Sequence, residues 1–310
     1  MSDQTGGTAR PRIQELSQKA KAGDLIGLAQ LLTLLEREGP SSFEQLPELL
    51  SPHQMAFRVG ITGPPGAGKS TLIGRLIAEF RAQGKKVGVL AVDPSSPFTK
   101  GAVLGDRIRY HEHFNDPGVF IRSLGSRGSL GGLSSSAYLM VRAFDLAGFD
   151  IVLLETVGVG QTELDIMNVA DWVAVVLVPE SGDSIQGMKA GLLEIADTFI
   201  VNKGDRPGAD TFLRELEASM HLDPRAPSVP VPIMKTTATS GEGVKDLTTK
   251  ILGEASRSGA GTWRDERVGL ERLQAEAKAL LRAASEREIE RRTKTIQSAA
   301  DFIREFRIKI

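Results

Sequence analysis

The chain of 310 residues contains no cysteine. Disulfide bonds, thiolate metal sites and thiol nucleophiles are therefore excluded. The charges nearly cancel, with 38 Lys and Arg against 39 Asp and Glu. The chain thus has no overall positive field of the kind that gathers nucleic acid. We expect any partner to be recognised through a local surface, and we expect no nucleic-acid partner.

Long apolar segments are also missing. The longest apolar run, Trp172 to Val178, has the length of a strand rather than of a membrane span. The first residues, "MSDQTGGTARPR", are polar and lack the apolar run of a secretion signal. Together with the lack of disulfides, this pattern favours a cytoplasmic protein with no membrane partner.

The sequence does contain enough apolar residues for one large core, at 41% hydrophobic content. Apolar residues recur at helical spacing from Ile13 to Glu38, and "AGD" at 22–24 marks a break between two helices. The pattern predicts another short helix from Ser42 to Leu50. We therefore expect a helical N-terminal extension over residues 1–54.

Seven short apolar runs follow, and helical patterns such as Thr71 to Gln83 and Ser136 to Leu146 lie between most of them. This alternation predicts an α/β domain over residues 55–252, with a doubly wound, mostly parallel sheet covered by helices on both faces. The predicted strands lie in "FRVGIT", "KKVGVLAVD", "GVFIRSL", "DIVLLET", "DWVAVVLVP", "DTFIVNK" and "VPIMKTT".

A highly charged helical arm is predicted after the linker "SRSGAGT", within residues 253–310. A single narrow apolar stripe runs along it while its other faces carry Arg and Glu. Such a helix packs either on its own domain or on a partner. The stripe consists of Leu270, Leu273, Ala277, Leu280, Leu281 and Ala284.

A phosphate-binding loop is predicted at "GPPGAGKS", Gly63 to Ser70, which fits the pattern G-x-x-x-x-G-K-[ST] between a strand and a helix. Its glycines let backbone N–H groups surround phosphate, and the helix N-terminus adds partial positive charge. We expect Lys69 to contact the β- and γ-phosphates and Ser70 to bind Mg²⁺. The candidate nucleotide-binding residues here are Gly63, Pro64, Pro65, Gly66, Ala67, Gly68, Lys69, Ser70 and Thr71.

The base is indicated by "VNKGD", which places Asn202, Lys203 and Asp205 at the end of a strand as N-K-x-D. A carboxylate at Asp205 accepts from guanine N1–H and N2–H₂, donors that adenine lacks there. A site built around such donors rejects an analogue lacking them by ~10⁴-fold or more, which favours GTP over ATP. After the last strand, "TTATSGEG" supplies Thr237, Ala238 and Thr239, and we expect the N–H of Ala238 to contact guanine O6.

Acidic residues at two predicted strand ends indicate a magnesium site. Magnesium on a triphosphate keeps several waters, and carboxylates hold those waters. Asp93 and Glu155 suit this role, and Gly158 behind Glu155 is placed to offer its N–H to the γ-phosphate. Asp106, at the far end of the loop after Asp93, is a further candidate for positioning water or magnesium. Two alternatives stay open. Glu155 ends its strand and does nothing more, and Asp106 has a purely structural role in its loop.

The segments that carry these motifs together resemble the MeaB/ArgK GTPases, the family of the methylmalonic aciduria type A protein. The resemblance runs through the central domain and implies a P-loop GTPase fold with helical extensions at both ends. The matching segments are "GPPGAGKSTL", "VDPSSPFTKGAVLGDRIR", "FIRSLGSRGSLGGLS", "ETVGVGQTE", "GDSIQGMKAGLLEIAD" and "VNKGD".

The resemblance implies a slow GTPase that acts as a chaperone of adenosylcobalamin-dependent methylmalonyl-CoA mutase. Such proteins gate cofactor loading, protect the mutase and promote release of damaged cofactor. The C-terminal arm is expected to form a homodimer. The chain lacks a D-x-H-x-x-G pattern, so we predict no direct cobalamin site.

Three switch segments are implied by position in the family. They are Asp93 to Asp106, Glu155 to Glu163 and Ser181 to Lys189. The third is expected to relay the nucleotide state through Asp183, Gln186 and Lys189, with Lys189 pairing with a switch acid in one state. The expected catalytic residues are Lys69, Asp106, Glu155 and Gln161, with Gln161 orienting the attacking water.

Two other functions remain open at this stage. The client is alternatively another cobalamin-dependent acyl-CoA mutase, because nothing in the GTPase motifs distinguishes these enzymes. A metal-delivery GTPase is the second alternative, although such proteins use Cys or clustered His. The pair His111 and His113 flanks Glu112, but residues i and i+2 diverge on a helix, which disfavours a metal site there.

Overall fold

The structure is a computed structural model that describes residues 9–50, 54–93, 110–125, 135–156, 168–181, 195–222, 231–258 and 266–293. Within those ranges, no helix is long and apolar enough to cross a membrane.

The N-terminal extension begins with helices α1, Ala9–Lys21, and α2, Leu25–Glu38. The predicted break between them is confirmed, since the Asp24 carboxylate caps α2 by accepting from the N–H groups of Ile26 and Gly27 at 2.9 and 3.1 Å.

The single helix predicted from Ser42 to Leu50 is wrong. The chain instead forms a short helix α3, Ser42–Gln45, between two 3₁₀ turns, Gly39–Ser41 and Pro47–Leu49. The cause is Pro47, which has no N–H and disfavours helical backbone at the residue before it. Leu46 accordingly has φ −136° and ψ 75°.

The sheet contains seven parallel strands in the order β3-β2-β4-β1-β5-β6-β7. All seven apolar runs therefore form strands, and the predicted α/β fold class is confirmed. The strands are β1 Phe57–Thr62, β2 Val87–Asp93, β3 Val119–Gly125, β4 Ile151–Thr156, β5 Trp172–Leu177, β6 Thr198–Val201 and β7 Ile233–Lys235.

Helices cover both faces of the sheet. They are α4 Lys69–Ala82, α5 Ser135–Leu146, α6 Ala209–Leu222 and α7 Val244–Ser258. Apolar residues of α4 and α7 pack against one face, while those of α5, α6, α1 and α2 pack against the other. The N-terminal extension is thus part of the main core, and α7 runs across the domain boundary expected at residue 252.

The charged arm forms helix α8, Glu266–Thr293. One side packs on the chain's own domain, because Arg142 of α5 makes two hydrogen bonds to Glu276, at 2.9 and 3.1 Å, and Leu280 joins the core. Leu273 and Leu281 of the predicted stripe are instead exposed, at 46% and 68%. The stripe is therefore divided between the domain and the outer surface.

Candidate nucleotide-binding site

The candidate site lies at the carboxyl ends of β1 and its neighbours β4 and β5. Ile61 of β1 pairs with Glu155 of β4, and Thr62 pairs with Val175 of β5. The chain leaves β1 at Gly63 and enters α4 at Lys69. The sheet therefore positions the predicted phosphate-binding loop directly beside the acid at the end of β4.

Two positions in the loop require glycine. Gly63 has φ 135°, and a Cβ there would lie 2.1 Å from the carbonyl oxygen of Val176. Gly68 has φ 86°, and a Cβ there would lie 2.5 Å from Nδ2 of Asn202. Both backbone conformation and space thus exclude a side chain at these positions. The loop packs closely against β5 and against the predicted base-reading strand end.

Lys69 is buried at the N-terminus of α4, with 6% exposure. Its ammonium group donates to the carbonyl oxygens of Gly63 and Pro64 at 2.6 and 3.0 Å. The amine therefore lies within the loop that precedes it. A cation at a helix N-terminus favours an anionic ligand such as phosphate.

Glu155 is buried, with 4% exposure, and accepts two hydrogen bonds from side chains. The Ser70 hydroxyl donates to Oε1 at 2.6 Å, and the buried Tyr110 hydroxyl donates to Oε2. The sequence motifs did not identify Tyr110, which follows the predicted first switch segment without belonging to a recognised pattern. Glu155 therefore joins the phosphate-binding loop to the residue just beyond that segment.

The donor set of Ser70 and Glu155 suits magnesium, because both supply the oxygen atoms that Mg²⁺ prefers. Across all the described ranges, this site included, no group of three or more His, Asp or Glu side chains is arranged to hold a metal ion. His113 instead makes a hydrogen bond between its Nε2 and the Gly74 carbonyl oxygen at 2.9 Å. This contact gives no support to a metal site at His111 and His113.

Asn202 joins the three parts of the candidate site. Its Nδ2 donates to the carbonyl oxygen of Ala67 at 2.8 Å, and its Oδ1 accepts from the hydroxyl of Thr236 and the N–H of Ala238, each at 3.1 Å. With 2% exposure it is fully enclosed. This side chain thus connects the phosphate-binding loop to the turn after β7. The Ala238 N–H, expected to contact guanine O6, is engaged by Asn202 in this structure.

Lys203 and Asp205 follow at the same strand end. Lys203 has φ 57°, the only positive φ of a non-glycine residue in the described chain. This conformation is costly for a lysine and is characteristic of constrained sites. Asp205 is exposed, so its carboxylate is accessible to a ligand from the solvent side.

Arg75 of α4 makes a second connection between the loops. Its Nε donates to the carbonyl oxygen of Ala238 at 3.1 Å, and its Nη2 donates to that of Thr239 at 2.7 Å. No sequence motif includes Arg75.

A cavity of about 570 Å³ lies over the loop and the start of α4. This volume is in the range of pockets that bind small ligands. Residues of the predicted nucleotide and magnesium sites line it: Pro65, Gly66, Gly68, Lys69, Ser70, Thr71 and Glu155.

Several predicted residues are outside the described ranges. They are Asp106, Gly158, Gln161, Asp183, Gln186 and Lys189. Asp93 is the last residue of β2, and the preceding residues Ala91 and Val92 pair with Glu155 and Thr156 of β4. The backbone of Asp93 therefore ends at the same edge of the sheet as Glu155.

Comparison with protein families decides the classification. Residues 28–295 match the family described as methylmalonyl-CoA mutase-associated GTPase MeaB. The chain belongs to the MeaB family. Its enzyme class is therefore GTPase, and the matched residues include the loop predicted to bind phosphate.

Relatives of this MeaB-family chain occur in distant organisms. A Pyrococcus abyssi protein named as a GTPase is 48% identical over 242 residues, 77% of this chain and 75% of the relative. A protein named as a probable GTPase of Mycobacterium tuberculosis is 39% identical over 243 residues, 76% and 72% of the two chains. The methylmalonic aciduria type A homolog of Caenorhabditis elegans is 34% identical over 260 residues, 78% and 65% of the two chains.

Two solved structures share the fold of this MeaB-family chain. One, described as a LAO/AO transport system kinase, has a TM-score of 0.66 at 23% identity and covers 99% of this chain and 98% of its own. The other is HypB from Helicobacter pylori in complex with nickel, with a TM-score of 0.50 at 18% identity, covering 73% and 98%. At these identities the likeness shows the fold alone.

Proposed function

We propose that this chain is a magnesium-dependent GTP hydrolase whose nucleotide state controls a chaperone activity on adenosylcobalamin-dependent methylmalonyl-CoA mutase. The observation that carries the proposal is the 2.6 Å hydrogen bond between Ser70 and Glu155, beside Lys69 in one cavity. A hydroxyl of the phosphate-binding loop thus meets a buried acid of the neighbouring strand. Hydrolysis of a metal-bound triphosphate needs this combination of groups.

Phosphate binding is assigned to the loop N–H groups, the N-terminus of α4 and Lys69. On nucleotide binding, the Lys69 amine would exchange its contacts with the Gly63 and Pro64 carbonyl oxygens for contacts with the β- and γ-phosphates. The gain is a charge-assisted contact at the place where negative charge develops during phosphoryl transfer.

Magnesium would be held by the Ser70 hydroxyl, with Glu155, Asp93 and Asp106 holding its water ligands. The bound metal ion supplies charge neutralisation at the phosphate oxygens. Before that, Glu155 keeps the Ser70 hydroxyl in place, and Tyr110 keeps the Glu155 carboxylate oriented. These contacts limit the reorganisation needed when the metal-bound nucleotide arrives.

Water positioning is assigned to Gln161, and contact with the γ-phosphate to the N–H of Gly158. These assignments rest on the match of "ETVGVGQTE" to the family pattern. In this proposal, loss of the γ-phosphate releases the segment that contains both residues. The third segment then relays the change through Asp183, Gln186 and Lys189.

Guanine specificity is assigned to Asp205, which would accept from N1–H and N2–H₂. Asn202 supports this arrangement, because it is hydrogen-bonded to both the phosphate-binding loop and the turn after β7. Base and phosphate recognition would then be coupled mechanically through one buried amide.

The client is assigned as methylmalonyl-CoA mutase because the family description names association with that enzyme. The proposed roles are protection, reactivation and gating of cofactor loading, without a cobalamin site in this chain. Another cobalamin-dependent acyl-CoA mutase is the alternative client. A metal-delivery role is disfavoured, since the sequence has no cysteine and only four histidines.

We also propose a cytoplasmic homodimer in which α8 forms part of the interface. The exposed apolar side chains of Leu273, Leu281 and Ile289 on α8 support this assignment. Side chains of this kind are stabilised by burial against another surface.

The nucleotide assignment is tested by measuring GTP and ATP hydrolysis for the unmodified chain and for Asp205→Asn. We expect the unmodified chain to prefer GTP, and we expect the substitution to weaken GTP binding much more than ATP binding. Equal turnover of GTP and ATP by the unmodified chain would contradict the assignment.

The client assignment is tested by binding purified methylmalonyl-CoA mutase to the chain in GDP and in a non-hydrolysable GTP analogue. We expect different affinities in the two states. Binding of an isobutyryl-type mutase in place of the methylmalonyl enzyme would support the alternative client. Equal affinity in both nucleotide states would contradict the switch.

A further inference from the structure

Arg75 lies on the helix that carries the phosphate-binding lysine, yet its side chain contacts the turn after β7. The guanidinium group donates to two successive carbonyl oxygens, those of Ala238 and Thr239, at 3.1 and 2.7 Å. A planar guanidinium holds two acceptors in a fixed relative position, which a single ammonium cannot do. The two peptide groups are therefore held in one orientation relative to α4.

The backbone amides of this turn differ in whether they are already engaged. Among the residues that the structure describes, Thr239 is the one position from 237 to 241 whose N–H donates to no acceptor. The N–H groups of the other four residues each donate a hydrogen bond. The pairs are Thr237 N–H to Glu242 O at 3.0 Å, Ala238 N–H to Asn202 Oδ1 at 3.1 Å, Ser240 N–H to Thr237 O at 3.1 Å, and Gly241 N–H to Thr237 O at 2.9 Å.

Peptide geometry connects the two observations. The described chain has no cis peptide bond, and in a trans peptide the C=O and the following N–H point to opposite sides. Since Arg75 fixes the Ala238 carbonyl on the side of α4, it also fixes the direction of the Thr239 N–H away from the guanidinium group. The Arg75 side chain thus orients the Thr239 N–H, the donor in this turn that is still available to a ligand.

We propose that Arg75 is a positioning residue for base recognition, which orients the Thr239 N–H to donate to guanine O6. The inference rests on the proposed guanine specificity and replaces Ala238 with Thr239 as the backbone donor. Adenine presents an amino group at the corresponding position, so a fixed N–H there meets a donor instead of an acceptor. Arg75 therefore contributes to the choice of base without contacting the base.

The test compares diphosphates, so that binding is measured without hydrolysis. 6-Thioguanosine diphosphate keeps the N1–H and 2-amino donors of GDP but replaces O6 with sulfur, a weaker acceptor. Inosine diphosphate keeps O6 and lacks the 2-amino group. Competition against a fluorescent GDP analogue gives the dissociation constant of each for the unmodified chain, Arg75→Met and Arg75→Lys.

For Arg75→Met we expect the affinities for GDP and inosine diphosphate to fall together, by about fivefold to tenfold, because both lose a well-oriented hydrogen bond to O6. Affinity for the 6-thio compound should fall by less than about twofold, since that bond is weak from the start. Arg75→Lys should recover part of the loss because lysine reaches one carbonyl. Arg257→Met, on the outer end of α7, is the matched control and should leave all three constants unchanged.

An equal loss for all three nucleotides would assign Arg75 a purely structural role and overturn the inference, as would no loss at all. The unmodified chain separates this failure from failure of the proposed function: if it binds ADP as tightly as GDP, the guanine assignment itself is wrong. If Arg75→Met does not fold, the GDP to 6-thio-GDP ratio of Arg75→Lys decides the question in the same way.

Discussion

The hydroxyl of Ser70 donates to Oε1 of Glu155 across 2.6 Å, and so joins the start of α4 to the end of β4. Glu155 is buried, with Tyr110 contacting its other oxygen. A glutamate, one methylene longer than aspartate, spans the distance from the strand to the loop hydroxyl while its second oxygen remains within reach of the phenol. This geometry explains why position 155 carries a glutamate and not the shorter aspartate.

Shortening this acid should weaken the response to magnesium. In Glu155→Asp the carboxylate is expected to lose its contact with Ser70, so the magnesium concentration needed for half-maximal GDP affinity should rise about tenfold, the equivalent of one good hydrogen bond. The measurement is GDP binding over a magnesium titration. Glu254→Asp, which shortens a buried acid of α7 away from the cavity, should leave the midpoint unchanged. An unaltered midpoint in Glu155→Asp would remove Glu155 from the magnesium site.

Removing the Tyr110 hydroxyl should destabilise the fold by about 1–3 kcal/mol, because the buried Oε2 of Glu155 loses a donor. The change is Tyr110→Phe, which keeps the ring in the core. The measurement is the free energy of unfolding from urea titration without nucleotide. A difference below about 0.5 kcal/mol, the usual range for surface substitutions, would mean that this hydrogen bond does not stabilise the fold.

Two glycines of the loop provide a matched pair. Gly68 and Gly66 have similar positive φ values, 86° and 78°, but a Cβ at Gly68 would lie 2.5 Å from Nδ2 of Asn202 while one at Gly66 meets nothing within 4 Å. Gly66→Ala should cost about 1–2 kcal/mol of stability from backbone strain alone. Gly68→Ala should cost more. It should also reduce the preference for GTP over ATP, since it displaces the Asn202 amide, which is hydrogen-bonded to the turn proposed to recognise the base. Equal losses in both variants would argue against that support.

The pair of Arg81 and Asp116 gives a pH dependence. The hydrogen bond from Arg81 Nε, at 2.9 Å, holds the pKa of Asp116 below its ordinary value of 3.8, helped by the N–H of Gly118 and opposed by partial burial. A lowered pKa means that the folded state binds this proton less readily than the unfolded state. The stabilisation is therefore present above pH 3.8 and is lost as the pH falls below it.

Asp116→Asn should accordingly lower the free energy of unfolding by about 1 kcal/mol at pH 7, a value typical of partly exposed pairs, with a smaller effect at pH 3. Asparagine keeps an oxygen for the Gly118 N–H, so the charge is the main change. Urea titrations at both pH values measure the effect. In an Arg81→Met background the pH dependence of the difference should be much smaller, because only the weaker contribution of the Gly118 N–H and neighbouring charge remains. A difference of constant size would show that the ion pair is not its source.

The fold was predictable because its signals are local. Each of the seven strands is a short apolar run, and the phosphate-binding loop follows β1 with its glycines at fixed spacing. The single helix predicted from Ser42 to Leu50 was wrong. Pro47 divides that segment through its effect on the backbone, which the spacing of apolar residues does not reveal.

The parts of the site that sequence reasoning missed depend on contacts between distant segments. Tyr110 contacts Glu155 across a separation of 45 residues in the chain. Arg75 contacts Ala238 because α4 and the turn after β7 pack in the same cluster. Neither residue belongs to a contiguous motif. The engagement of the Ala238 N–H by Asn202 likewise needed coordinates, because the motif fixes which residues are present and not which hydrogen bonds they form.

The N-terminal helices share a core with the sheet, since Leu28 and Leu31 are buried in the same cluster as Val152 and Leu154 of β4. A destabilising substitution in this extension would therefore lower the stability of the whole enzyme. Smaller residues at Leu28 or Leu31 would increase the unfolded fraction and expose the chain to cellular proteases. Cells would then contain fewer copies of an enzyme that still turns over normally, so a deficiency caused there would be one of abundance and not of chemistry.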